Sequence, residues 1–246
     1  MLSNIWNTVL YEPLVNALAF LVSIVPGGDV GLAVIMLTIF VKLALYPLSQ
    51  KSIESQIKMN LLAPELKKIK ASGASKEEQA KQTFELYKQT KTNPFSGCLL
   101  VLIQIPIIFA LYYVFLKGLN IDNGLLYSFV SVPESINMEF LGILDIGSKS
   151  LILAVLAGVS QYFQALFMPK PSTPEKSDTP GGSFQENFTK SMHTQMKYVF
   201  PFVVAFIAYS VSGAVALYWI TSNIFAIGQQ IYAERKKATP ELVKQA

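Results

Sequence analysis

The sequence predicts an all-α membrane protein with five transmembrane helices, an outer interfacial amphipathic helix and a cytosolic helical hairpin. Three observations predict it. First, 52% of the 246 residues are hydrophobic, only 15% are charged, and the mean hydropathy is +0.40. A water-soluble domain would have to hide an unusual amount of apolar surface at that composition. Second, charge is clustered: residues 198–232 form a run of 35 without Asp, Glu, Lys, Arg or His, and 150–168 and 99–116 are also uncharged. Such runs are long enough to be membrane spans. Third, the basic residues fall into blocks, as short loops on one side of a membrane do.

Five spans follow, at 30–48, 93–116, 150–168, 198–211 and 213–232. As one helix, the last 35 uncharged residues would be roughly 52 Å long at 1.5 Å per residue. A hydrocarbon core is only about 30 Å thick, so a hairpin turning at 210–214 fits better. Of the 20 Lys and Arg residues, nine lie in 49–92, four in 169–197 and four in 233–246, which places those segments in the cytosol. The segment 118–148 carries Asp122, Glu134, Glu139 and Asp145 without a Lys or Arg, as an external loop should. The core therefore enters from outside and ends in a basic cytosolic tail, 233–246.

Ahead of the first span, Leu2, Ile5, Trp6, Val9, Leu10, Pro13, Leu14, Ala17, Leu18, Leu21, Val22 and Val25 recur at steps of three and four. This is one apolar helical stripe. The other face carries Ser3, Asn4, Asn7, Thr8, Glu12, Asn16 and Ser23, so residues 1–25 are expected to lie in the outer interface, ended by Pro26-Gly27-Gly28-Asp29. A sixth span is the alternative. No cleavable signal peptide is expected, since the first 41 residues lack Lys and Arg.

Between the first two spans, residues 49–92 are expected to form a helical hairpin. Ile53, Ile57, Leu61, Leu62, Leu66 and Ile69 make its apolar side, Ala71-Ser72-Gly73-Ala74 the turn, and Ser75-x-x-Glu78 a capping box that starts the return helix. The segment 169–197 is expected to be a mobile cytosolic linker, because its first fifteen residues include four Pro and two Gly.

The chemistry of the spans is polar rather than catalytic. Lys42 is the only charge inside any of them, and steps of four, four and three place it on one face with Thr38, Tyr46 and Ser49. Snorkelling to the cytosolic surface would satisfy the lysine alone. Gln104, Gln161, Gln164 and Gln229, however, also fall in the cytosolic halves of their spans, whereas 33–37, 107–116 and 151–159 are almost wholly apolar. Single glutamines commonly bridge membrane helices. Four at one depth predict a wet pocket open to the cytosol and sealed externally. Such a pocket shortens the dry distance that a polar segment must cross, and Lys42 adds a positive charge that attracts acidic residues.

The stretches TIFVKLALYPLSQKS (38–52) with KMNLLAPELKKIK (58–70), NPFSGCLLVLIQIPIIFALYYVF (93–115) and SGAVALYWITSNIFAIGQQ (212–230) together resemble the YidC/Oxa/Alb membrane protein insertases. The resemblance runs over nearly the whole chain. It implies a bacterial plasma-membrane protein with a five-helix core and a hydrophilic groove facing the cytosol. Client transmembrane segments would pass through this groove into the bilayer. Lys42 takes the groove position usually held by arginine, the groove glutamine corresponds to either Gln161 or Gln164, and Trp219 matches an aromatic position in the last span. Thr38, Gln104, Ser222 and Gln229 complete the expected client-binding set.

The partners so implied are newly made membrane proteins and lipids, with the Sec translocon and the ribosome as further candidates. Arg235, Lys236 and Lys237 offer only modest electrostatics for ribosomal RNA. No DNA partner, cofactor or metal is expected. The single cysteine, Cys98, can form neither an intramolecular disulfide nor a metal cluster of the usual spacing. An enzyme is not expected either: no serine stands out as a nucleophile for Lys42, and the spans hold no carboxylate. A transporter or channel is the alternative function, and the apolar outer halves argue against a through-path.

Overall fold

Prolines, glycines and caps decide where the helices of this chain begin and end. The computed structural model describes residues 6–92, 96–116, 126–131, 133, 135–168, 191 and 194–237, and the chain is mostly helical. A π-helical turn at Asn7–Tyr11 runs into α1 (Glu12–Ile24). A 3₁₀ turn at Pro26–Gly28, with Gly27 at φ 69° and Gly28 at φ 64°, then reverses the chain. These are left-handed conformations that glycine adopts without a Cβ penalty. Asp29 caps α2 (Val30–Ala44), its Oδ1 accepting from Leu32 N at 3.0 Å.

The first helix after the turn ends at Ala44, not at residue 48 as the sequence suggested, and the axis bends by 62° into α3 (Tyr46–Leu61). Pro47 has no N–H to give to the Leu43 carbonyl, so the ladder breaks there. The arm expected to run unbroken to residue 70 is likewise split, into α3 and α4 (Ala63–Ala71), at Leu62 just ahead of Pro64. Ser75 Oγ accepts from Glu78 N at 3.2 Å and starts α5 (Lys76–Gln89), which packs on α4.

The remaining helices are α6 (Ser96–Leu116), α7 (Leu151–Phe167), α8 (Phe200–Ser210) and α9 (Gly213–Lys237). A π-helical turn at Gln195–Val199 leads into α8, so the end of the segment read as linker is helical; most of that segment lies outside the described residues. The break between α8 and α9 falls at Val211 and Ser212, and α9 runs on through Lys237, past the expected end at 232. The tail from 238, the start of the chain to residue 5 and His193 lie outside the described residues.

By length and composition alone, one helix among the described residues (Asn7–Ile24) is long and apolar enough to cross a membrane, or two if the bent pair α2–α3 counts as one. The polar residues in the other helices explain part of this: Thr221, Ser222, Asn223, Gln229 and Gln230 all sit in α9.

α7 packs against both α8 and α9, α9 against α2, and α1 against α2 and α6. A side chain at Gly158 would meet the Pro201 carbonyl at 2.9 Å and Ala205 Cβ at 3.0 Å, which is how α7 and α8 come so close. One apolar cluster fills the interior, with Leu18, Val34, Leu37, Leu111, Val114, Ala154, Ala157, Val204, Val215, Tyr218 and Trp219 among its members. Asn16, placed on the polar face of the N-terminal stripe, is buried instead (3% exposed). Its Nδ2 donates to the Glu12 carbonyl at 2.8 Å and its Oδ1 accepts from Tyr127 N at 2.6 Å, so burial leaves neither group unpaired.

The segment between α6 and α7 departs from an all-α chain by a two-stranded hairpin, β1 (Glu139–Phe140) and β2 (Leu144–Asp145), paired antiparallel. Its anchoring is dense. Asn137 N donates to the Gly28 carbonyl and Val30 N to the Asn137 carbonyl, both at 2.9 Å. Leu141 N donates to Asp29 Oδ2 at 2.8 Å. Gly213 N and Ala214 N donate to the Ser148 and Ile146 carbonyls at 2.9 and 3.0 Å. The Phe140 ring lies against Gly31, where any side chain would collide with it. The hairpin thus ties the α1–α2 turn to the α8–α9 turn.

Candidate functional site

The interior of the bundle divides along its length. Among the described residues, cluster members come from α2 as far as Leu37, from α6 from Ile107 on, from α7 as far as Ala157, and from α9 as far as Trp219. Beyond those levels Thr38, Gln161, Ser222, Asn223, Gln229 and Gln230 are buried beside Ala165 and Ala233, and Lys42, Gln104, Ser160 and Gln164 are half-buried. All lie toward the end that carries α3–α5, while the β-hairpin covers the other end.

Lys42 comes from the last turn of α2 and Gln104 from the first half of α6; both helices pack on α1 and α9, and α6 packs most closely on α3. Lys42 Nζ donates to Gln104 Oε1 at 3.2 Å. Gln104 Nε2 is buried and has no hydrogen-bond partner among the described residues. Among the described residues this is the bond that the half-buried ammonium and amide share, and it leaves the buried Gln104 Nε2 with an N–H to give.

The other expected residues are divided among separate arrangements. Gln161, buried, donates through Nε2 to Gln164 Oε1 at 3.0 Å on the same helix, with Gln164 the more exposed of the two. The Gln229 amide donates to Ser49 Oγ at 2.7 Å and so fastens α9 to α3. Thr38 is buried and gives its hydroxyl to the Val34 carbonyl at 2.6 Å, which leaves it no free donor. Trp219 and Ser222 are buried on α9. Among the described residues no hydrogen bond joins the Lys42–Gln104 pair to the Gln161–Gln164 pair.

Two polar residues escaped the sequence reading. Asn223 Nδ2 donates to Ser160 Oγ at 3.0 Å, linking α9 to α7 at the level where the apolar cluster stops. A signal existed: Asn223 stands four residues after Trp219 and Ser160 four before Gln164, each on the same helical face. Beside this link, Leu156, Val159, Phe163, Phe167, Ile220, Ile224 and Ile227 line an apolar groove of about 340 Å³ between α7 and α9.

An apolar interior that gives way to buried polar side chains and Lys42 toward one end suits a helical bundle embedded in a membrane. A family model described as "60Kd inner membrane protein" matches residues 20–240. The membrane protein insertase YidC of Clostridium tetani is 32% identical over 234 residues, covering 93% of each chain. That of Oleidesulfovibrio alaskensis is 31% identical, covering 94% of this chain and 39% of its own. A crystal structure of an active YidC insertase with its first transmembrane domain resolved aligns at a TM-score of 0.49 and 23% identity, covering 81% of this chain and 40% of that one. The chain belongs to this family, the YidC/Oxa/Alb membrane protein insertases, and its place is the bacterial membrane.

Proposed function

We propose that this insertase, which is not an enzyme, moves client transmembrane segments into the bilayer through a polar groove open to the cytosol and centred on Lys42. The observation that carries the proposal is the Lys42–Gln104 bond, made between α2 and α6 and leaving Gln104 Nε2 without a partner among the described residues. The apolar cluster beyond Leu37, Ile107, Ala157 and Trp219 supplies the seal. A client's external segment enters the groove, loses only part of its hydration, and crosses the remaining half. Its apolar helix leaves sideways into lipid, where the groove between α7 and α9 offers a matching surface. No nucleotide hydrolysis enters this scheme.

The arrangement in the membrane is part of the proposal. α2, α6, α7, α8 and α9 are the five spans, with α3–α5 and the basic tail cytosolic. α8, with only 11 residues, is short enough to thin the bilayer locally. α1 lies at the outer face: its mid-helix Asn16 accepts from the backbone of Tyr127, in the acidic loop assigned to the outside. Lipids and newly made membrane proteins are its partners. The α4–α5 pair and the tail are the surfaces available to the Sec translocon and the ribosome.

Vesicles containing this protein alone test the function. They should insert a short client with one span and an acidic external tail, read as protease protection of the tail, at a rate well above that of empty vesicles. Equal rates with and without the protein contradict the proposal.

A further inference from the structure

The tip of the outer β-hairpin is built in a way that its folding does not require. β1 and β2 are joined through Leu141, Gly142 and Ile143, and Ile143 N donates to the Phe140 carbonyl at 3.1 Å. Leu141 and Gly142 are both left-handed, at φ 54° and φ 68°. Turns of this kind favour Asn, Asp or Gly at both central positions, and a branched apolar residue there is strained. Leu141 and Lys91 are the non-glycine residues with positive φ among those described. The Asp29 carboxylate, through its bond from Leu141 N, helps hold the strained residue in place.

The strain puts apolar side chains outward. Leu141 is 58% and Ile143 84% exposed, whereas Phe140 and Leu144, on the hairpin's other face, pack against the core. The tip Phe140–Leu144 has no charge, and Glu139 and Asp145 sit opposite one another at its base. The chain then enters α7, whose outer turns expose Leu151, Ile152 and Val155.

We infer that the tip, Leu141 and Ile143, is a wedge inserted into the outer leaflet of the bilayer, with the Glu139–Asp145 base left in the headgroup water. The exposed tip continues the apolar surface that α7 presents to lipid a few residues later. It carries no cation, so it recognises the acyl region rather than headgroup charge. The hydrogen bonds to Asp29 and Asn137, and from Gly213 and Ala214, hold the wedge rigidly on the bundle. Bilayer contact at the hairpin thereby bears on both outer turns.

This inference rests on the proposed orientation. A thiol introduced by Lys149→Cys in a Cys98→Ser chain tests that orientation separately, by reaction with an impermeant maleimide from outside whole cells. The inference itself is tested with a nitroxide attached after Ile143→Cys, in vesicles of phosphatidylethanolamine and phosphatidylglycerol. Its collision rate with oxygen relative to that with an aqueous nickel chelate should be several-fold higher than for a label at 149, and close to that of a label after Val155→Cys. A label at 143 as open to nickel as one at 149, with 149 reacting from outside, overturns the inference while leaving the orientation intact. A label shielded from both colliders overturns it too, since a protein surface then covers the tip.

Discussion

Lys42→Ala lowers the insertion of clients with acidic external tails about tenfold, a change of about 1.4 kcal/mol that lies between the attraction of unit charges at 4 Å in water and at the surface of a protein. Clients with neutral tails are affected much less. The substitution removes the charge held against Gln104 and leaves the amide oxygen without its partner, beside an Nε2 that has none among the described residues. Lys42→Arg keeps the charge and restores most of the acidic-tail insertion. The comparison is made in cells depleted of their own insertase, as the fraction of each client tail that reaches the outside. An equal loss for both client classes contradicts charge attraction and reduces Lys42 to a packing residue.

Asp29→Ala destabilises the fold by about 3 kcal/mol, the sum expected for a helix cap and a charge-assisted hydrogen bond lost together. The carboxylate is buried and accepts from Leu32 N at 3.0 Å and from Leu141 N at 2.8 Å. Alanine therefore uncaps α2 and frees the hairpin in one step. For a chain of this size the midpoint of thermal unfolding in detergent should fall by roughly 6–12 °C. Asp29→Asn keeps one acceptor oxygen and should recover about half of that. An unchanged midpoint for Asp29→Ala would mean that the hairpin is held by packing of Phe140 and Ile146 alone.

The helices were legible because their signals are local. Uncharged runs, Pro47 and Pro64, the Ser75–Glu78 cap and the Val211–Ser212 break can each be read within a few residues. Even so, the sequence reading ran the first span through Pro47 and the hairpin arm through Pro64, because it followed apolar content rather than the missing proline N–H. The hairpin at Glu139–Asp145 was not legible. Its strands are two residues each, and its stability comes from Gly28, Asp29 and Gly213, far away in sequence. Asn16 misled for the same reason, since its partner is the backbone of Tyr127.

Within the site, depth could be read and partnership could not. That Lys42, Gln104, Gln161, Gln164 and Gln229 share one half of the bundle follows from counting residues along each helix. That Gln104 faces Lys42, while Gln161 turns to Gln164 and Gln229 to Ser49, depends on how the helices rotate against one another. No single-helix pattern reports that rotation.

Water reaching the Lys42–Gln104 level from one side alone is what the mechanism requires. The direct measurement is thiol reactivity after Gln104→Cys, and after Gln164→Cys, in a Cys98→Ser chain, with an impermeant maleimide applied to vesicles of either orientation. Both positions should react when the cytosolic face is exposed and stay unmodified when only the outer face is. No reaction from either side would show a dry interior around Lys42, and reaction from both would show a channel; each contradicts a groove closed at its outer end.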